Sequence, residues 1–416
     1  MKPELLMPAG SLQKLKYAYA YGADAVYLGV PLFSLRAREN EFDLADLKEG
    51  INHAHSLGKK VYVTANIFSR NRKLKPFIPQ LKEWMDLKPD AFIMSDPGLM
   101  MMAREAFPDI NIHLSVQANC MNWQSVKFWH KSLGVSRVIL SRELGINEIK
   151  EIKDRVPEIE LEAFVHGSIC IAYSGRCLLS SYMSHRDANQ GVCDNSCREK
   201  FKLEEKKPEP KEYVLEDLRS PGEKYEIQED EEGTYILNSK DLCGIEYIKE
   251  LIDAGVCSLK IEGRTKSVNY VALVSRIYRK AIDDAVAGKP FDRSLMTELE
   301  KIAHRGYHPG FLMGTPKAEG QNYDTSNSRF FSQKFGGLVT GPMNADGLIP
   351  VEIRGTMKVG QACELQGPDM QTEQFQISKI LDKKMKEVEA AHSGSGVFWI
   401  KGPQKSMENG IVSLVQ

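Results

Sequence analysis

Gly22-Ala-Asp-Ala-Val-Tyr-Leu-Gly29 sets the reading of the fold. A glycine closes one segment, a short β-branched and apolar run follows, and a small residue ends it. Residues 88–96 (KPDAFIMSD), 134–143 (GVSRVILSRE) and 255–264 (GVCSLKIEGR) repeat that phrasing. Longer stretches with helical apolar spacing lie between them, so from Glu4 to about Lys280 the chain reads as repeated αβ units. Strand candidates fall at residues 5–7, 25–28, 60–66, 91–95, 111–115, 137–141, 160–165, 235–237 and 258–261. That is one more than a closed eight-stranded barrel holds, so one lies outside it or the sheet is open and doubly wound. No glycine-rich dinucleotide fingerprint follows the first strand, which favours an α/β fold of the (β/α)8, TIM-like type.

In such a barrel the chemistry sits on loops at the C-terminal ends of the strands. Polar residues collect there: Asn66, Ser95-Asp96, Ser115 with Gln117 and Asn119, Ser141-Arg142-Glu143, His166-Gly167 and Glu262-Gly263-Arg264. Capping or turn formation explains each one singly. Their recurrence at one end of the fold marks a candidate site.

The alternation breaks at residues 167–238, an insertion that begins with cysteines and ends in a charged stretch, residues 204–232, expected to be mobile and solvated. The barrel is therefore assigned to residues 1–305 and a glycine-rich, polar linker to 306–328. Residues 329–416 hold short β-rich runs separated by turn residues, the pattern of a small all-β barrel. Those runs are 337–339, 348–354, 362–365, 374–380, 387–390, 397–400 and 410–415.

A length of 416 residues with 42% hydrophobic and 27% charged residues is ordinary globular composition. The formal net charge of −1 excludes a nucleic-acid binder that works by global basicity, so RNA contact requires local patches. Arg70, Arg72, Lys73 and Lys75 form one, and Arg198, Lys200, Lys202, Lys206 and Lys207 another, though a solvated face is the favoured reading of each. Residues 1–6 show no basic flank before an apolar run, and no apolar stretch is long enough to span a bilayer; a cytoplasmic protein is expected.

Eight cysteines in such a chain suggest reduced thiols, and half of them cluster. Cys170, Cys177, Cys193 and Cys197 give C-x6-C-x15-C-x3-C, four soft ligands that suit an iron–sulfur cluster or zinc. Only Cys193 and Cys197 have zinc-knuckle spacing, so iron–sulfur is favoured over zinc. Cys243 is a fifth candidate, while Cys120, Cys257 and Cys363 read as small buried apolar residues. There is no H-E-x-x-H and no G-x-S-x-G. Ser11 and Lys14 have serine–lysine spacing where a helix cap is the simpler reading, and Gly306 and Pro309 argue against a helix aligning His304 with His308.

The run from Glu162 to Ser180 (EAFVHGSICIAYSGRCLLS) resembles the signature of the collagenase-like peptidases, family thirty-two among peptidases of unassigned mechanism. Met7-Pro-Ala-Gly-Ser, His113-Leu-Ser-Val-Gln-Ala-Asn, Ile139-Leu-Ser-Arg-Glu-Leu and Ser258-Leu-Lys-Ile-Glu-Gly-Arg also look like its landmarks, so the resemblance covers nearly the whole chain. Within the family the likeness is nearest to the branch that hydroxylates the wobble uridine of tRNA in a prephenate-dependent way. The resemblance implies tRNA and prephenate as partners, a 4Fe-4S cluster on Cys170, Cys177, Cys193 and Cys197, and an electron donor or partner subunit. Peptidase activity, and a noncatalytic RNA-binding protein with a structural metal, are the alternatives. His166, Arg142, Glu262 and Arg264 are the expected catalytic residues. Arg176, Lys240, Lys260, Asn66 and Gln117 are the expected substrate contacts, the cations because a guanidinium or ammonium suits the two carboxylates of prephenate.

Overall fold

The computed structural model describes residues 2–35, 42–170, 172–173, 176–177, 188, 193, 214–216, 224–226, 228–230, 233–235, 239–314, 316, 318–322 and 331–415. Eight strands form the barrel: β1 (Glu4–Pro8), β2 (Ala25–Gly29), β3 (Lys60–Ala65), β4 (Ala91–Met94), β5 (Ile112–Leu114), β6 (Arg137–Ile139), β7 (Glu160–Gly167) and β8 (Val256–Ile261). All run parallel and pair in chain order, and β8 pairs with both β7 and β1, which closes the ring. The expected TIM-like barrel is present.

Side chains alternate across each strand, and both faces are covered. Leu6, Tyr27, Tyr62, Ile93, Ile139 and Phe164 fill the interior. Leu5, Met7, Val26, Leu28, Val61 and Val63 pack outward into the core shared with the helices. The helix that follows β1, α1 (Leu12–Ala20), begins at the Ser11 cap, whose Oγ accepts from Lys14 N at 3.4 Å. Asp96 likewise caps the helix Pro97–Ala106, with the proline at its first position. A second helix of importance, α2 (Val268–Val286), packs beside α1 after β8.

The lower interior is charged. Lys260 Nζ donates to Glu162 Oε1 at 2.7 Å, and Arg137 Nη1 reaches Glu162 Oε2 at 3.2 Å and Glu4 Oε1 at 2.7 Å. Tyr62 OH and Ser258 Oγ donate to Glu4, while Arg137 Nε binds Glu160 at 2.8 Å. Lys260 also sits 4.3 Å from the centre of the Tyr27 ring. Burial pulls its pKa down and the Glu162 carboxylate opposes that pull.

The strand expected at 235–237 is the one outside the barrel: Gly233–Tyr235 pairs antiparallel with Gln228–Asp230. A second ribbon joins Val214–Glu216 to Lys224–Glu226. The charged stretch thus contains paired strands where mobility was expected, Val214, Leu215 and Tyr225 being β-formers between its charges. The stretch read as a linker is held to the barrel as far as Gln321. Tyr307–His308 pairs with Asp241–Cys243, and Ser239 bridges to Gln321.

The C-terminal domain is an antiparallel eight-stranded sheet that curls on itself. The single run expected at 374–380 is two strands, Thr372–Gln376 and Lys379–Leu381. Ile377 is fully buried, and the chain bends there to carry one sheet edge over to the far side of the curl. This domain docks along α1 and α2: Tyr21 OH lies 2.9 Å from Gln366 O and 2.8 Å from Asn409 O, Arg276 donates to Gly367 O, and Arg354 donates to Gln13 Oε1.

Removing one member of a buried ion network leaves the others uncompensated, at a cost of about 3–5 kcal/mol. Glu162→Gln is expected to destabilise by about that much in chemical denaturation. Glu162→Gln combined with Lys260→Met is expected to fall short of the summed single effects, and strict additivity would show that the two groups are not coupled.

Candidate active site at the barrel mouth

Above the charged interior, Phe164 forms the floor of the mouth and Arg142 lies on it, its guanidinium carbon 3.8 Å from the ring centre. Arg142 Nη2 donates to Glu262 Oε2 at 3.0 Å. The other carboxylate oxygen accepts from Gly263 N at 3.1 Å, and Tyr270 OH donates to Glu262 O at 2.8 Å, so the acid is fixed from both sides. Asn119, at the left-handed φ of 51°, accepts from Ser141 Oγ at 2.8 Å and thereby sets the loop that carries Arg142. Arg142 and Glu262 keep side-chain exposures of 12% and 19%, enough to meet a ligand from above.

The other expected catalytic and substrate residues divide by burial. Arg264 donates to Ser34 Oγ at 2.8 Å, Thr64 Oγ1 at 3.1 Å and Leu35 O, bracing the β2 loop instead of facing a ligand. The β1 and β8 loops press together at Gly10, where an added Cβ would stand 2.3 Å from Arg264 O. Asn66 accepts from Leu35 N and donates to Ser115 Oγ, again a loop brace. Lys260 is spent in the interior network and lies below Phe164. Gln117 is half-buried, and among the described residues its side-chain amide has no hydrogen-bond partner, so it remains available. Lys240 is half-buried near Gly306, and Arg176 is exposed beside the cysteine segment.

His166, an expected catalytic residue, is placed in an aromatic wall. Its ring lies among Tyr270, Tyr278 and Tyr307 at centroid distances of 5.3–5.9 Å, and Nδ1 is 3.2 Å from Tyr278 OH. Burial pushes its pKa down to about 3, so it is a neutral packing group at physiological pH. Ser11 and Lys14 form no dyad: Ser11 caps α1, and Lys14 Nζ is directed at Arg264 O. His304 stacks on Tyr307 at 4.1 Å in an irregular segment, not on a helix.

The cysteines separate by environment. Cys243 is buried 3.9 Å from Tyr278 OH, and burial pushes its thiol up to about 12. Cys120 and Cys363 are likewise pushed up to about 12 and Cys257 to about 11. Cys170 and Cys193 are exposed and Cys177 is half-buried, on the segment that leaves the mouth end of β7. Cys197 lies outside the described residues. Among the described residues no three potential ligands converge. The donor set of accessible thiols fits a soft metal centre, and Cys243 stays a fifth candidate ligand, since a bound metal would itself deprotonate the thiol.

Residues 10–322 match the model of peptidase family U32, and residues 332–412 match that of the U32 C-terminal domain. The chain belongs to peptidase family U32. A Haemophilus influenzae protein named tRNA hydroxylation protein P is 50% identical over 97% of this chain and 94% of its own length. Its Escherichia coli namesake is 48% identical over the same shares. A Porphyromonas gingivalis collagenase is 30% identical over 75% of this chain and 73% of its own length. No helix among the described residues of this U32 protein is long and apolar enough to cross a membrane.

Sequence reasoning missed Phe164 and the network of Glu4, Arg137 and Glu162. The available signal was charge at alternating positions of strands otherwise apolar, as in Glu160-Leu-Glu162-Ala-Phe164.

The free His166 ring of an unfolded chain titrates near 6.5, and the folded one near about 3. Below about pH 6.5 the unfolded state takes up a proton that the native state refuses, so stability falls with pH, by about 2 kcal/mol at pH 5 from this group. Chemical denaturation at neutral pH and near pH 5 is expected to show that loss, and His166→Gln is expected to reduce the pH difference.

Proposed function

We propose that this U32 protein hydroxylates the wobble uridine of tRNA at C5 in a prephenate-dependent reaction, with an iron–sulfur cluster on Cys170, Cys177, Cys193 and Cys197. What carries the reading is near-complete alignment with two proteins named for tRNA hydroxylation. The mouth supports it. Arg142 is pre-oriented by Glu262 and Phe164 and retains donors that can take a carboxylate of prephenate. Gln117 has a side-chain amide available for the edge of an extruded base. A carboxylate fixed beside the guanidinium holds Arg142 in one orientation, so little ordering is left for the ligand to impose.

The reaction replaces C5–H by C5–OH, a two-electron oxidation of the base, so either an oxygen-atom donor or water together with a two-electron acceptor must be supplied from outside the chain. When bound, the cluster would supply one-electron transfer, and four thiolates are its ligand complement. An electron donor or partner subunit and a cytoplasmic location accompany this reading. Against the peptidase alternative, Ser11 is held in a helix cap and Ser34 in the Arg264 brace, so neither is poised as a nucleophile.

Nucleoside mass spectrometry of tRNA from gene-deleted cells, with the prephenate supply intact, tests the reading. 5-Hydroxyuridine-derived nucleosides should vanish on deletion, return with wild type and stay absent with Cys177→Ala. Unchanged nucleosides throughout would reject it. Arg142→Lys is expected to lower their yield about tenfold or more, the loss of roughly one charge-assisted hydrogen bond.

A further inference from the structure

The C-terminal domain carries a turn, residues 382–386 (Asp-Lys-Lys-Met-Lys), between strands Lys379–Leu381 and Glu387–Val388. Asp382 Oδ1 accepts from the backbone N–H groups of Lys384 and Lys386 at 2.8 and 2.9 Å. Asp382 N donates to Lys386 O and Met385 N to Asp382 O, both at 2.9 Å. Four hydrogen bonds thus hold five residues, and the one carboxylate within them is spent on backbone. Lys383, Lys384 and Lys386 are exposed, and among the described residues their ammonium groups make no ion pair or hydrogen bond. The nearby Glu387 pairs instead with Lys379 at 2.9 Å. Lys379 in turn stands directly opposite Lys401, a like-charge pairing that weakens a sheet on its own.

Register fixes where the turn points. The first turn of α1 lies at the barrel mouth, directly after β1, and Arg354 donates to Gln13 there at 3.1 Å. Tyr21, past the opposite end of α1, meets Gln366 and Asn409 instead. The strand Leu348–Ile353, which leads into Arg354, therefore runs toward the mouth end. Val397–Lys401 pairs antiparallel with it, and Lys379–Leu381 pairs antiparallel with Val397–Lys401. Lys379–Leu381 thus also runs toward the mouth end and delivers the three lysines there. The domain packs on the outer side of α1 and α2, so the turn lies outside the helical shell.

We infer that this lysine turn binds the phosphate backbone of the tRNA whose anticodon base enters the mouth, an inference that rests on the tRNA reading above. A turn of fixed backbone that presents three exposed lysines against one carboxylate, Asp382, keeps a net positive charge suited to phosphates several nucleotides from the reacting base. Asp382 fixes the turn backbone in advance, which lowers the backbone ordering that a flexible lysine loop would undergo on binding. Such contacts release counterions and carry no base specificity.

The test is equilibrium binding of labelled tRNA to the full chain across about 50 to 200 mM salt. Lys383→Ala/Lys384→Ala/Lys386→Ala is expected to bind about tenfold more weakly and to reduce the slope of log affinity against log salt by about 2 to 3. The corresponding triple arginine variant is expected to restore both. If the alanine variant matches a tRNA-binding wild type in affinity and slope, the turn is not the contact, while the tRNA reading stands. If arginine fails to restore binding, the loss is structural and the inference falls. A wild type that does not bind tRNA overturns both readings.

Discussion

Glu162 places a carboxylate inside the barrel between two cations, and the other residues of the interior are arranged around that fact. A lone carboxylate there would be protonated or expelled, and a lone Lys260 would be neutral. Together with Arg137 and Glu4 they form a column that ties β1, β6, β7 and β8 to one another across the closure of the ring. Polar interior groups of this kind tolerate few alternative registers, because a slip of one residue would point a charge into the apolar layer outside.

The mouth inherits its order from that column. Phe164 follows Glu162 by two residues on the same face of β7, and Glu262 stands directly after the end of β8, two residues beyond Lys260, so the upper level is built on the lower pair. Arg142 then has one resting place, on the ring and against the acid. Arg264 and Asn66 look like ligand contacts from their position at strand ends, yet they brace loops. The groups left to meet a ligand are fewer than the polar residues gathered there.

The cysteines show the same division by environment. Burial keeps the Cys243 thiol protonated and pairs it with Tyr278, whereas Cys170, Cys177 and Cys193 lie on an accessible segment leaving β7. The C-terminal domain is joined to the barrel flank through buried backbone carbonyls bound by Tyr21 and Arg276. That docking gives its turns a defined direction relative to the mouth.

The alternation of apolar runs with helical spacing, the strand-end polar residues and the cysteine cluster were legible in the chain because they depend on local period and spacing. So was the all-β character of the last part, from Leu348–Ile353 and its neighbours. Which of nine strand candidates stays outside the barrel was not legible, since pairing partners far apart in sequence decide it. Nor was the fate of His166: its strand-end position is the same whether the ring faces the mouth or Tyr278, and the ring packs against Tyr278, a residue far away in sequence. The sequence by itself determined the barrel, the second domain and the clustering of four cysteines in one insertion. The tertiary structure alone decided which charges are spent inside the fold and which are left to act, because burial and partner geometry arise only when distant segments meet.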